Sequence, residues 1–407
     1  MQKKKVCVVG LGYIGLPTAA LLASNGFNVV GVDLNANVVE TINQGRIHIV
    51  EPDLDAFVRS AVAAKCLTAF TTSQPADVYI ICVPTPFHEG EGIPQPNIDY
   101  VLTATRSIAG YVKQGDMVIL ESTSPVGTTE KMAAALNDAG VDLSKIHMAY
   151  CPERVLPGKI MTELVENDRV VGGLTPEATH AVCGFYRTFV RGAVLETDAK
   201  TAEMCKLTEN SFRDVNIAFA NELSMLCARS GIDIWNLIAL ANRHPRVNIL
   251  QPSAGVGGHC IAVDPWFIVA GDPETARIIR TAREVNNFKT EWAIDQIKIA
   301  VADVSARTGR KPKIACLGLA FKPNIDDLRE SPAVQIADAL QSKGYDVVAV
   351  EPNIEAHEQF SLVSLDAALK TADVFAVLVK HREFLSDAVK VALRQRRVVD
   401  FCGVGCG

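Results

Sequence analysis

Apolar positions follow two different rhythms along this chain. Val6 to Val9, Val29 to Val32, Val78 to Val83 and Met117 to Leu120 are unbroken apolar runs bounded by Gly, Pro or polar residues. A run with no polar side predicts a parallel strand covered on both faces. Leu16 to Asn25, stopped by Gly26, predicts a helix between the first two strands. From Ala199 to Ser230 neither Gly nor Pro occurs and apolar residues recur at helical spacing, which predicts one long helix ending at Gly231. Further helices are expected over Asp233 to Arg243 and from about Thr275 to Arg307. The strand–helix pattern then returns, with strands at Lys313 to Leu319, Asp346 to Val350, Ala372 to Val379 and Arg397 to Asp400 and a helix over Ala333 to Ser342. The ends echo each other: V-C-V-V-G-L-G…G-F-N-V-V-G-V-D-L-N against I-A-C-L-G-L-A…G-Y-D-V-V-A-V-E-P-N. The class is α/β, with two doubly wound, Rossmann-like domains (1–197 and 308–407) joined by a central helical domain (198–307).

Gly10, Gly12 and Gly15 form G-x-G-x-x-G between the first strand and the first helix, around Tyr13 and Ile14. There the first glycine turns the chain, the second admits a pyrophosphate and the third lets the helix pack closely, with the helix N-terminus favouring the anion. Asp33 ends the second strand, where an acid binds the ribose hydroxyls of NAD and repels the extra phosphate of NADP. NAD is therefore the expected cofactor. Thr85 and Thr123 follow two later strands, on the side where ligands lie, and are candidate contacts to it. Helix capping is the alternative for such hydroxyls, and Thr128 and Thr129 suit it better.

The net charge of −6 offers no field for nucleic acid, so an anionic ligand needs a local pocket. Eleven cysteines, odd in number and mostly single, fit a reducing cytoplasm better than a disulfide framework. No apolar run reaches the ~20 residues of a membrane helix. The pair Cys402 and Cys406 is a weak zinc signal, since structural zinc takes four ligands. His88, Glu89 and Glu91 read as a surface loop rather than a metal site.

Chemistry concentrates at G-V-G-G-H-C-I-A-V-D-P, residues 255–265, which sets Cys260 between glycines and Asp264. A thiol there can add to a carbonyl carbon, or it can be a buried structural cysteine beside a turn. Gly257 and Gly258 are expected to let a ligand lie against the backbone. Lys206, Asn210 and Arg213, four and three apart, share one face of the long helix. Glu153 and Arg154 follow a strand end. His244 lies between Arg243 and Arg246, set for a hydrogen bond to a ligand rather than a base role. Lys322, Asp326, Asp327 and Arg329 fill a second turn. Arg and Lys in these turns can grip phosphates.

Together, G-L-G-Y-I-G-L-P, S-T-S-P-V-G-T, C-P-E-R-V-L-P-G, K-L-T-E-N-S-F-R-D-V-N, G-V-G-G-H-C-I-A-V-D-P and F-K-P-N-I-D-D-L-R-E-S-P occur in an order that resembles the UDP-glucose/GDP-mannose dehydrogenases. E-M-C-K-L-T-E-N, N-R-H-P-R-V-N and E-N-D-R-V-V-G-G are most similar to members acting on UDP-N-acetyl-D-mannosamine. The resemblance implies oxidation of the sugar C6 alcohol to a carboxylate, with two NAD reduced, as a step towards surface polysaccharide. Cys260 is then the nucleophile, Lys206, helped by Asn210, stabilises the oxyanion or acts as acid/base, Asp264 holds a water and Glu153 assists thioester hydrolysis, the base duty being open among Lys206, Asp264 and Glu153. Arg154, Val155, Arg213, His244, Arg246, Gly257, Phe321 and Lys322 would bind the UDP-sugar, with Arg329 near the nicotinamide nucleotide. A homodimer through the central helices is also implied, and Arg246 is placed to reach the neighbouring subunit. The tail F-C-G-V-G-C-G departs from the family pattern. The rival readings are a UDP-N-acetylglucosamine or UDP-glucose 6-dehydrogenase, a two-electron 3-hydroxyacid dehydrogenase, which needs no thiol, and a non-catalytic NAD-binding protein.

Overall fold

A computed structural model describes residues 4–88, 90–258 and 260–405. Glu89 and Cys406, named above, lie outside the described residues. The chain forms two compact units, Met1–Thr208 and Glu209–Gly407. The three-part division expected above differs from this one, since its central domain, 198–307, begins inside the first unit.

The first unit runs β1 (Lys5–Val9), α1 (Gly15–Ser24), β2 (Asn28–Val32), α2 (Ala36–Asn43), α3 (Leu54–Ala63), β3 (Leu67–Phe70), β4 (Val78–Ile81), α4 (Asp99–Ile108), β5 (Met117–Leu120), α5 (Thr128–Asp138), β6 (His147–Tyr150), α6 (Ile160–Glu166), β7 (Arg169–Gly173), α7 (Pro176–Tyr186) and β8 (Val194–Asp198). Helix α8 (Ala199–Ser230) follows at the bounds its composition predicts, stopped by Gly231 at φ +66°. The strands form one sheet in the order β3-β2-β1-β4-β5-β6-β7-β8, parallel except where β6 meets β7. The apolar runs are buried on both faces. Val6 and Val8 enter one core with Leu16, Leu22 and Phe185, while Cys7 and Val9 enter the other with Tyr79, Ile108 and Leu136. The strand order reverses between β1 and β4, the point at which such sheets bind ligands.

The second unit continues with α9 (Ile234–Ala241), α10 (Asp264–Gly271), α11 (Arg277–Thr308), β9 (Lys313–Leu317), α12 (Pro332–Ser342), β10 (Asp346–Val350), α13 (Leu365–Thr371), β11 (Val374–Val377), α14 (Asp387–Arg394) and β12 (Arg397–Asp400). Its four parallel strands lie in the order β10-β9-β11-β12. Again one strand feeds two cores, Ile314 and Cys316 on one face and Ala315 and Leu317 on the other. The unusual tail is a turn around one carboxylate: Asp400 accepts the amides of Cys402, Gly403 and Gly405. Gly403 is required there, because a Cβ would meet the Trp235 ring at 2.9 Å. Among the described residues no helix is long and apolar enough to cross a membrane.

Candidate functional site

The G-x-G-x-x-G turn sits at the reversal point of the first sheet. Gly10 has φ +91°, and a Cβ there would lie 2.6 Å from the Cys82 carbonyl. A Cβ on Gly15 would lie 1.8 Å from the Gly10 carbonyl, so only glycine allows α1 this close to the turn. Gly12 faces open space, with nothing within 4 Å. The N-terminus of α1 has no side-chain cap, and Tyr13 is 38% exposed beside it. Asp33 accepts the Leu11 amide on one oxygen and the Asn35 amide on the other, which fixes the carboxylate at the rim. An uncapped helix start, an open glycine face and a rim carboxylate fit a dinucleotide. The following loops are stitched together: Ser122 donates to the Val83 carbonyl and Thr85 to the Thr123 carbonyl. Thr85 thus caps no helix. Nor do Thr128 and Thr129 cap α5. Its amides at Gly127 and Thr129 are taken by the buried carboxylate of Glu203, whose pKa burial raises while the same hydrogen bonds pull it down.

Glu153 is buried beside this loop cluster. It accepts the Arg154 amide at 2.6 Å and forms an ion pair with Arg169 at 2.7 Å whose alignment falls short of a hydrogen bond. The guanidinium of Arg169 lies 3.9 Å from a second carboxylate, Glu121, and over the Tyr186 ring. Tyr186 donates to Glu121 at 2.6 Å, and Thr18 of α1 donates to its other oxygen. Burial raises the pKa of Glu121, and Arg169 opposes that shift. Glu153 thus shares one buried guanidinium with a second acid. Arg154 extends from the same strand end, its Nη1 on the Asp168 carbonyl, with Val155 half-buried next to it. Lys206 lies on α8, 9% exposed.

In the second unit Cys260 is exposed, which sets aside the buried structural cysteine. Its carbonyl accepts the amides of Val263 and Asp264 and so starts α10. Asp264, buried at the head of α10, accepts the side-chain amide of Asn210 at 2.5 Å. A polar chain braces this corner. Arg283 and Asn286 of α11 hold the buried Asp214 of α8, Asn286 accepts from Asn221, and Asn221 accepts the Ser253 amide just before the glycine loop. The pKa of Asp214 is raised by burial, against the pull of Arg283.

The structure changes the reason for the loop glycines. A Cβ on Gly257 would lie 2.3 Å from the Glu330 carbonyl, and one on Gly258 (φ +83°) would lie 2.8 Å from the Phe321 ring. On the side a Cβ would occupy, these glycines admit the chain's own 321–332 segment. The thiol loop is thereby joined to the loop bearing Phe321 and the exposed Lys322. Arg329 grips Asp327 through two guanidinium nitrogens. Arg213 is exposed on α8, whereas Asn210, one turn earlier, is buried. His244 and Arg246 are exposed in a loop closed by Asn242, which bonds both backbone groups of Ile249.

Residue spacing did not reveal Glu121, Arg169 or Glu203, which act over long sequence separations. Glu351 was aligned with Asp33 by the echo between the two ends. Its partner His381 carried no signal.

Three domain profiles of the UDP-glucose/GDP-mannose dehydrogenase family match the chain: the NAD binding domain over residues 4–190, the central domain over 200–288 and the UDP binding domain over 315–405. UDP-N-acetyl-D-mannosamine dehydrogenase of Escherichia coli is 55% identical over 99% of this chain and 100% of its own length. An NDP-N-acetyl-D-galactosaminuronic acid dehydrogenase of Ralstonia nicotianae is also 55% identical, over 94% of this chain and 92% of its own. Among solved structures, the UDP-D-ManNAc dehydrogenase of Pyrococcus horikoshii superposes with TM-score 0.88 at 37% identity, covering 98% of this chain and 96% of that one. The UDP-N-acetyl-mannosamine dehydrogenase of Staphylococcus aureus gives 0.87 at 39%, covering 98% and 95%.

Proposed function

The chain belongs to the UDP-glucose/GDP-mannose dehydrogenase family and has its NAD binding domain, and from that premise we propose that it oxidises C6 of UDP-N-acetyl-D-mannosamine to the carboxylate through a thioester on Cys260. One observation carries this reading: an exposed thiol at the start of a helix whose first acid, Asp264, is oriented by Asn210. Bound NAD accepts the two hydrides, one molecule for each. Loss of the first hydride and the hydroxyl proton leaves an aldehyde. The Cys260 sulfur adds to its carbon and gives a thiohemiacetal, with Lys206 and Asn210 stabilising the oxyanion. Loss of the second hydride and a proton leaves the thioester. Water, held by Asp264 and assisted by Glu153, adds to it; the carboxylate leaves and the thiol is restored. A thiolate suits both halves because it attacks carbonyls and also departs readily. Arg154, Val155, Arg213, His244, Arg246, Gly257, Phe321 and Lys322 are assigned to the UDP-sugar, and Tyr13, Ile14, Asp33, Thr85, Thr123 and Arg329 to the dinucleotide. The product is an activated uronic acid for surface polysaccharide assembly.

The two 55%-identical relatives carry different sugar names, so a galactosamine-type sugar is the second reading. Purified protein is to be assayed with UDP-N-acetylmannosamine, UDP-N-acetylglucosamine, UDP-N-acetylgalactosamine, UDP-glucose and GDP-mannose while NADH is counted per sugar. Two NADH with the first substrate preferred is the expected result; one NADH overturns the thioester. Cys260→Ser should abolish acid formation while NAD still binds. A homodimer through the central helices is part of this reading. Phe212, Phe219 and Leu226, seven apart on α8, are 67%, 53% and 52% exposed and form an apolar stripe suited to a second copy. Phe219→Lys should convert a dimer to monomers in sedimentation.

A further inference from the structure

We infer that His381 is the positioning residue of the Phe321–Asn324 loop, holding it through Nδ1 while Nε2 is anchored on Glu351. The inference rests on the reading above that Phe321 and Lys322 meet the UDP-sugar. His381 is wholly buried just beyond β11, its ring edge-on to Phe384 at 5.6 Å. Nδ1 lies 3.0 Å from the Asn324 amide and 3.0 Å from the side-chain amide of Asn353. A ring nitrogen that receives a backbone N–H carries no proton of its own. The imidazole proton is therefore on Nε2, 3.0 Å from Glu351, to which it donates.

Asn324 is held from both ends. Its side-chain oxygen accepts the Arg382 amide at 2.9 Å, next door to His381. Asn324 also has φ +63°, a left-handed backbone that persists in a non-glycine residue where the surroundings hold it. It follows Lys322 by two residues and Phe321 by three. The Phe321 ring in turn occupies the place a Cβ on Gly258 would take, two residues from Cys260. One bond from a buried imidazole thus sets the loop assigned to the substrate and the packing surface of the thiol loop.

Two substitutions separate the two ring nitrogens. The amide of Gln reaches the Nε2 position and can still donate to Glu351, but it offers Asn324 no acceptor. The amide of Asn reaches the Nδ1 position and can still accept from Asn324, but it leaves Glu351 without its donor. For His381→Gln the KM for the UDP-sugar should rise about tenfold, as for one lost hydrogen bond of ordinary strength, and by more than kcat falls. The KM for NAD should not move. For His381→Asn the melting temperature should fall while the sugar KM stays within about threefold of wild type. A wild-type sugar KM in His381→Gln, or a KM that follows melting temperature in both variants, overturns the inference. Wild-type protein that oxidises no UDP-sugar overturns the functional reading, and this inference with it. Nitrogen NMR of histidine-labelled wild-type protein gives a check independent of the variants: a proton on Nε2 of His381 is expected, and a proton on Nδ1 overturns the assignment.

Discussion

The first strand of each α/β half ends in a glycine with the same left-handed backbone, Gly10 at φ +91° and Gly318 at φ +90°. In each half the neighbouring strand ends in an acid, Asp33 or Glu351. From there the halves diverge. Asp33 stays at the rim, half-buried, with one backbone amide on each oxygen. Glu351 is 6% exposed and accepts the amides of Leu319, Ala320 and Asn353, the Asn353 side chain and the His381 ring. The helix starts diverge in the same sense: α1 is uncapped, while α12 is capped by Ser331, which accepts from Ala333 and Val334. One scaffold leaves an acid and a helix end open for a cofactor. The other turns both inward and uses them to hold a loop. A fold alone does not fix a ligand; the side chains at the strand ends do.

The sharpest test of this contrast lies in the glycines. Gly15→Ala puts a methyl 1.8 Å from the Gly10 carbonyl, so it should destabilise the first unit by about 3 kcal/mol or more. Gly318→Ala, with Val379 2.4 Å from the new methyl, should cost the second unit a similar amount and leave NAD affinity alone. Gly12→Ala meets nothing within 4 Å and should change stability by less than about 0.5 kcal/mol. It should still weaken NAD about tenfold or more, because the methyl enters the pyrophosphate's place. Thermal melts and NAD titrations of the three variants read the difference; normal NAD binding by Gly12→Ala would break the comparison.

The two acids should also separate by pH. Burial alone would raise the carboxyl of Glu351, yet the hydrogen bonds from His381 and the Leu319 and Asn353 amides hold its pKa at about 2, against an ordinary value of 4.5. A depressed folded pKa means stability that is fully present above pH 4.5 and lost as the pH falls through 2. The difference corresponds to at most about 3 kcal/mol. Denaturant melts of wild type and Glu351→Gln between pH 5 and 2 should converge as the pH drops. Parallel curves would mean that the carboxylate contributes nothing pH-dependent.

Much of this was legible from the chain alone. Continuous apolar runs marked the strands buried on both faces, and the absence of Gly and Pro set the bounds of α8. What escaped were strands and contacts with no local signature. In β3 buried and exposed residues alternate over four positions, β8 is an exposed edge rich in polar residues, and β7 opens on Arg169 and closes on two glycines. Arg169 is buried only because Glu121 and Glu153, 48 and 16 positions away, neutralise it. Glu203 caps a helix 74 positions earlier. Such pairs are fixed by the sheet order, so spacing along the chain does not announce them.

Asp33→Asn keeps an acceptor for the Leu11 amide but removes the charge that, on the proposed assignment, would repel the extra phosphate of NADP. The preference for NAD over NADP should relax by about tenfold, read as the ratio of kcat/KM values. Glu351→Gln should leave that ratio unchanged, since its carboxylate faces inward. A shift in both variants would mean that the second acid also senses the cofactor.

The smallest effect belongs to the helix starts. Ser331→Ala removes the hydroxyl that satisfies the Ala333 and Val334 amides and itself donates to the Leu319 carbonyl at 2.6 Å. Loss of a serine cap costs about 1 kcal/mol. The variant should therefore melt a few degrees lower in the absence of ligand, with NAD affinity unchanged. At α1 there is no such cap to lose: the Leu16 amide donates to the Gly12 carbonyl and Pro17 has no N–H. Saturating NAD should accordingly raise the melting temperature of wild type and Ser331→Ala by the same increment. An increment that shrinks in Ser331→Ala would mean that the two helix starts are coupled, and that the second half has kept a share of the cofactor site.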